Sequence, residues 1–269
     1  MPILGIDQEK CIKCKLCIKA CIRRYVEDEE RKIIKFQDPT GTCGLCGHCI
    51  AVCPTEAILY EKLGDEPFSF EGIETLQKII PYDTIYPFLR AHRSIRNYKK
   101  ERVPSDMLEK VVKVMQYAPT GGNLRSEKYA ILSEPEKIQA LSNGIIEELL
   151  KTPSLKIRYE EAFEIRRKIY KNPVFFDAPH VIFVYSPIGA YLEWINIGIL
   201  VTYGRLAAES LGLGTCWNGW SLMAFKANKK LLKLAGIRGA GWGAFTIGYP
   251  NIQYKRCPPR RPRKIKGLI

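Results

Sequence analysis

Eight of the ten cysteines in this 269-residue chain fall in two runs, Cys11-x2-Cys14-x2-Cys17-x3-Cys21 and Cys43-x2-Cys46-x2-Cys49-x3-Cys53, the second followed by Pro54. Three thiolates spaced by two residues can reach three corners of a tetrahedral centre from one loop. The fourth has to come from elsewhere. Paired C-x2-C motifs also make all-cysteine zinc sites, but zinc needs only two cysteines per run and leaves four of the eight idle. A pair of [4Fe–4S] cubes uses all eight. Thiols committed to ligation have to stay reduced, and the opening Met1-Pro-Ile-Leu-Gly-Ile-Asp7 lacks the basic start and apolar run of an export signal. The expected location is the cytoplasm.

The two runs resemble those of bacterial two-cluster ferredoxins, in which the fourth cysteine of each run ligates the other cluster. That resemblance implies Cys11, Cys14, Cys17 and Cys53 on one cube and Cys43, Cys46, Cys49 and Cys21 on the other. Ile22 stands in the first run where the second has Pro54, and the spacer Arg23–Phe36 reads as a hairpin with a charged tip at Glu27–Lys32. Two cubes carry single electrons; they do not choose a substrate.

Beyond residue 83 only Cys216 and Cys257 remain, so composition changes sharply near residue 60. The expected organisation is a cluster domain over 1–60, a Gly- and Pro-containing linker over 61–83, and a second domain over 84–269. Lys and Arg outnumber Asp and Glu by 42 to 28, a net charge of +14. Residues 1–60 contribute only 9 − 8 = +1 of it. The second domain is therefore basic. No nucleic-acid-binding motif accompanies that charge, so it is read as attracting a phosphate-bearing cofactor, an anionic substrate or an acidic electron carrier. The most apolar stretch, Trp194–Leu211, is interrupted by Asn196, Thr202, Arg205 and Glu209 and reads as a buried helix, with no membrane span expected.

Apolar spacing predicts a short helix from Asp83 to the loop His92–Arg96, and a longer one capped by Ser105 and ended by Pro119. Tyr129–Leu132, Val181–Tyr185 and Ala244–Ile247 read as buried strands. Pro135–Lys171 reads as helical. Glu193–Leu211, apolar nearly all round, reads as a central helix closed by Gly212. Helices and strands mix without a regular β-α-β alternation, which predicts an α+β fold.

Four segments of this half could hold a phosphorylated cofactor: His92-Arg93-Ser94-Ile95-Arg96, Ala118-Pro-Thr-Gly-Gly-Asn123, Gly212-Leu-Gly-Thr-Cys-Trp-Asn-Gly-Trp220, and the tail Pro259-Arg260-Arg261-Pro-Arg263-Lys264. Their order and spacing, with Gly248-Tyr-Pro250 before the tail, resemble the nitroreductase family of FMN enzymes. The whole chain then resembles a ferredoxin–nitroreductase fusion. The resemblance implies an α+β sandwich that dimerises through long helices, with FMN at the dimer interface. By the same resemblance Ser94 and Arg96 would contact the ribityl-phosphate side, with His92 standing where the family often has its first arginine, beside Arg93. Asn123 would meet the isoalloxazine edge, Asn218 and Gly219 would lie near N5, and Arg260 or Arg261 would bind phosphate. Cys216 reads as a small buried residue, and Cys257 has no assigned role.

FMN accepts electrons singly and delivers them in pairs, which gives the fusion its logic: clusters load the flavin and the flavin reduces a small acceptor such as a nitroaromatic, quinone or activated alkene. No general acid is identified. The expected partners are a second copy of the chain and a low-potential electron donor such as ferredoxin, with no nucleic acid and no membrane. The alternative reading is an electron-transfer protein that serves a partner enzyme and has no substrate of its own.

Overall fold

The computed structural model describes residues 2–62, 64–68, 76–189 and 191–267. It divides into two compact units. The first runs to Ile79 and takes in Gly122–Leu124; the second comprises Ile80–Gly121 and the chain from Arg125 onward. Of the segment read as a linker, residues 63 and 69–75 lie outside the described residues. The remainder contains the short helix α3 (Leu76–Ile79) and the first turn of α4 (Tyr82–Ala91).

In the first unit β1 (Ile3–Ile6) pairs antiparallel with β4 (Ile58–Tyr60), and β2 (Tyr25–Asp28) with β3 (Ile33–Phe36), the hairpin expected between the cysteine runs. Helices α1 (Leu16–Ala20) and α2 (His48–Val52) each begin five residues after the first cysteine of a run. The buried apolar residues that cluster here are Cys17, Tyr25, Ile34, Cys49 and Ile58. Two of those five are cysteines. A unit this small cannot rely on such a core alone and needs a further constraint.

The second unit is built on an antiparallel sheet in the order β5-β6-β8-β7, comprising β5 (Lys128–Leu132), β6 (His180–Ser186), β8 (Gly241–Gly248) and β7 (Gly214–Trp217). Both faces are covered. Val181, Phe183, Trp242 and Ala244 face a core completed by α6 (Pro135–Leu150), α7 (Pro153–Arg167), α9 (Gly219–Ala227) and α10 (Lys230–Leu234). Ile182, Val184, Phe245 and Ile247 face α5 (Ser105–Met115) and α8 (Glu193–Ser210). Alternating residues thus point to opposite layers, yet all are apolar, because neither face meets water.

Three expectations need correction, and one strand carries no signal in the sequence. Gly214–Trp217 is an edge strand; four residues with a leading glycine carry too short a pattern to distinguish strand from turn. At the start of α5 Pro104 occupies the cap position and Ser105 is the first helical residue, with no side-chain cap. The stretch Pro135–Lys171 is broken at Thr152–Pro153, where proline, lacking a donor, opens a new helix. Helix α8 is buried on one side only: Trp194, Ile195 and Tyr203 are 50%, 60% and 38% exposed. Among the described residues no helix is long and apolar enough to cross a membrane.

Candidate functional site

The two cysteine runs share one backbone pattern. Lys13 and Lys15 in the first and Leu45 and Gly47 in the second, at matching positions, all have left-handed φ, from +50° to +74°. Three of these four are not glycine, a conformation that costs about 1 kcal/mol per residue and survives where surrounding structure or a ligand over-determines it. Alternating handedness turns successive N–H groups to one side, forming the concave amide nests that suit anionic centres. Cys21, Cys43, Cys46 and Cys49 line one cavity of the first unit, and Cys11, Cys14, Cys17 and Cys53 line another. Each cavity therefore collects three cysteines of one run and the fourth of the other, the grouping that the crossover pattern expects. Among the described residues no three His, Cys, Asp or Glu converge closely enough to hold one metal ion; each quartet surrounds a space instead. The backbone N–H of Ala57 already donates to Cys53 Sγ at 3.2 Å. Such a donor set fits a polynuclear, electron-rich cluster.

In the second unit a cavity of about 370 Å3 is lined by Arg96 from the loop after α4, by Arg166 and Phe176, and by the end of β7 and start of α9, from Cys216 to Trp220. The guanidinium of Arg166 lies 4.8 Å from the Trp220 ring centroid and 5.2 Å from that of Phe176, and Arg96 stands 5.8 Å from Phe176. Among the described residues neither arginine has an ion-pair partner. Partial burial pulls the Arg166 pKa below its ordinary value, and the like charge of Arg96 acts in the same direction. Two guanidiniums on aromatic faces with no carboxylate between them call for an anion.

Asn218 belongs to this wall, with its backbone N–H already donated to Ala244 O at 2.8 Å. Its side chain is buried, donates to Val174 O at 2.7 Å, and accepts from Ser221 N at 2.9 Å and Ser221 Oγ at 2.7 Å, capping α9. Gly219, the first residue of that helix, has open space where a Cβ would stand. A planar ligand can therefore approach the uncapped N–H groups closely. The cavity so combines cationic groups, amide donors and aromatic walls, which fits a flat, electron-rich, phosphate-bearing group such as a flavin nucleotide.

The remaining candidates are dispersed. Ser94 forms a parallel bridge to Thr215 on β7, and its Oγ accepts from Arg205 Nη2 at 3.4 Å, placing it alongside the strand that carries Cys216. His92 also meets α8, its Nδ1 being 3.2 Å from Glu209 Oε2. Arg93 donates to Arg90 O and His92 O, at 2.8 and 2.6 Å. Asn123, with φ +54°, falls in the three-residue stretch grouped with the first unit, where its amide donates to Gly44 O at 2.8 Å. Arg260 and Arg261 are exposed on an irregular stretch. Cys216 is buried in the cavity wall, whereas Cys257 is exposed.

Residues 89–249, well over half of the chain, match the Nitroreductase family. The chain belongs to that family. The chain is similar to an iodotyrosine deiodinase of Thermotoga neapolitana, 28% identical over 133 residues, covering 49% of this chain and 71% of the deiodinase. It shares its fold with a solved nitroreductase with bound FMN from Desulfitobacterium hafniense, at a TM-score of 0.55 and 22% identity over 68% of this chain and 97% of that one. A third relative is a probable iron–sulfur protein of the Frd operon of Proteus vulgaris, 33% identical over 70 residues, covering 20% of this chain and 45% of that protein. This nitroreductase-family chain is an oxidoreductase with an α+β fold.

Three residues of the nitroreductase domain were missed in the sequence. Arg166 sits in the last turn of a charged helix, and Phe176 follows in a loop; nothing local distinguishes either from a solvated or core residue. Arg205, which reads as a polar interruption of α8, is held by Thr215 Oγ1 at 3.2 Å and Ser94 Oγ. Burial pulls its pKa down as well.

Proposed function

We propose that this chain is an iron–sulfur flavoprotein in which two [4Fe–4S] clusters feed FMN, which in turn reduces a small electron-poor acceptor: a nitroaromatic, quinone or activated alkene. The observation that carries the reading is the pair of four-cysteine cavities in a chain that also holds a cationic, aromatic-walled cavity in a nitroreductase-family domain. FMN supplies exchange between single electrons and pairs, and the cubes supply single-electron transfer. The protein's part is binding and electrostatics. Cys11, Cys14, Cys17 and Cys53 would hold one cube and Cys43, Cys46, Cys49 and Cys21 the other, with Ala57 N–H supporting the Cys53 sulfur. Arg96 and Arg166 would balance flavin charge, the Gly219 backbone N–H at the start of α9 would donate to the ring edge, and Phe176 and Trp220 would exclude water.

The solvent-facing Trp194, Ile195 and Tyr203 of α8 support assembly with a second copy of the chain. The basic charge of the chain suits an acidic low-potential donor such as a ferredoxin, and ligating thiols require a reducing compartment such as the cytoplasm. The test is anaerobic: reduce the protein with dithionite or a ferredoxin system, then follow flavin absorbance on adding acceptors. Reoxidation well above the buffer rate is expected. A flavin that reoxidises no faster than in buffer overturns the reductase reading and leaves an electron-transfer protein that serves a partner enzyme.

A further inference from the structure

Tyr25 opens β2 and is 2% exposed, packed tilted against Phe36 with ring centroids 5.4 Å apart. A buried phenol ordinarily secures a partner for its hydroxyl, since leaving one unmade costs about 1–3 kcal/mol. The Tyr25 hydroxyl has none at hydrogen-bonding geometry. It lines the cavity shared by Cys21, Cys43, Cys46 and Cys49, and Cys49 is the ionisable neighbour that perturbs it most. The cavity of the other quartet has no phenol in its wall, so Tyr25 breaks the twofold repeat of the two runs.

We propose that the Tyr25 hydroxyl donates a hydrogen bond to the Cys49 sulfur when that sulfur ligates a cluster, and that this bond raises the reduction potential of the cluster held by Cys21, Cys43, Cys46 and Cys49. The inference rests on the cluster reading above. On reduction a [4Fe–4S]2+ cube takes one electron from a low-potential one-electron donor and becomes [4Fe–4S]+. No bond to the protein forms or breaks, and the phenol keeps its proton, since a tyrosine is neutral well above physiological pH. The added charge spreads onto the cluster sulfurs and their thiolates. An O–H dipole aimed at one of them stabilises the reduced state more than the oxidised one. Tyr25 is thus a positioning residue that makes electron entry at one of the two clusters easier.

The experiment is a potentiometric titration of the full-length holoprotein under anaerobic conditions, followed by EPR, for the wild type and Tyr25→Phe. Phenylalanine keeps the ring against Phe36 and removes only the hydroxyl. One of the two midpoints should fall by the equivalent of a tenfold change in the reduction equilibrium, about 59 mV for one electron, while the other stays. Unchanged midpoints, or a rise, would overturn the proposal. Should the variant lose its iron, wild-type reduced protein decides the matter: an exchangeable-proton coupling that disappears in deuterium oxide is expected, and its absence refutes the bond. Iron and sulfide content of the wild type separately tests the cluster reading, so the two failures are distinguishable.

Discussion

At the scale of single residues, the second unit holds polar groups whose behaviour follows from their partners. Arg166 packs on two aromatic rings and has no counter-ion among the described residues, so its loss should affect ligand affinity more than folding. Arg166→Gln is expected to weaken FMN binding about tenfold, about 1.4 kcal/mol. Fluorescence titration of the apoprotein checks this, and an unchanged Kd would remove Arg166 from the site. His180 is 2% exposed; its Nε2 accepts from Val103 N at 3.1 Å while its Nδ1 meets Ser133 Oγ at 2.7 Å. Burial, helped by the charge of Arg102, lowers its pKa from 6.5 to about 4. The unfolded chain therefore binds this proton before the folded one does. The neutral ring's stabilisation is complete above about pH 6.5 and is lost as pH falls toward 4, on the order of 3 kcal/mol in all. Denaturant unfolding at pH 7 and pH 4 should show that slope, and His180→Asn should flatten it.

At the scale of elements, close approach fixes where the layers of the second unit sit. Helix α8 passes α5 at Gly204, where a Cβ would lie 2.6 Å from the Met115 sulfur. The turn entering β8 is tighter still. Gly239 has φ +103°, and a Cβ there would stand 2.0 Å from the Ser186 carbonyl oxygen, a backbone atom that cannot yield without moving β6. Gly239→Ala is expected to destabilise the protein by about 3 kcal/mol, seen as a lowered Tm or insoluble expression. A Tm unchanged within a degree would show that the turn relaxes freely. The strands and helices themselves were mostly legible. His180–Ser186 and Gly241–Gly248 extend the apolar runs by a few residues, and Glu193–Ser210 is the helix that its composition announces. The edge strand β7 was not legible, because its pairing with β8 is a nonlocal contact that four residues cannot encode in their own pattern.

At the scale of the whole molecule, the cysteine partition gives the most direct test. Under the crossover grouping, Cys21→Ser should impair the cluster of Cys43, Cys46 and Cys49, and Cys53→Ser that of Cys11, Cys14 and Cys17, each removing about half of the bound iron. Replacing Cys216 or Cys257 should remove none. If Cys21→Ser instead disturbs the EPR signal that Cys17→Ser disturbs, each run serves its own cluster. The sequence by itself determined the two cysteine runs, the change in composition that separates a cysteine-rich stretch from the rest, and the apolar segments that become the sheet and its helices. These are local signals: fixed spacings between like residues, and periods of two or 3.6. Only the tertiary structure decided which cysteine joins which cavity, which face of α8 is buried, and which basic residues meet. Ser94 and Arg96 are two residues apart in sequence, yet one pairs alongside β7 and the other opens into the cavity beside Arg166, seventy residues away. Asn218, expected near the flavin ring, spends its side chain on Val174 O and the cap of α9 and its backbone N–H on Ala244 O, which leaves the donor role to Gly219. Those outcomes depend on chain crossings that bring distant groups within a few ångströms, and no short window of sequence contains them.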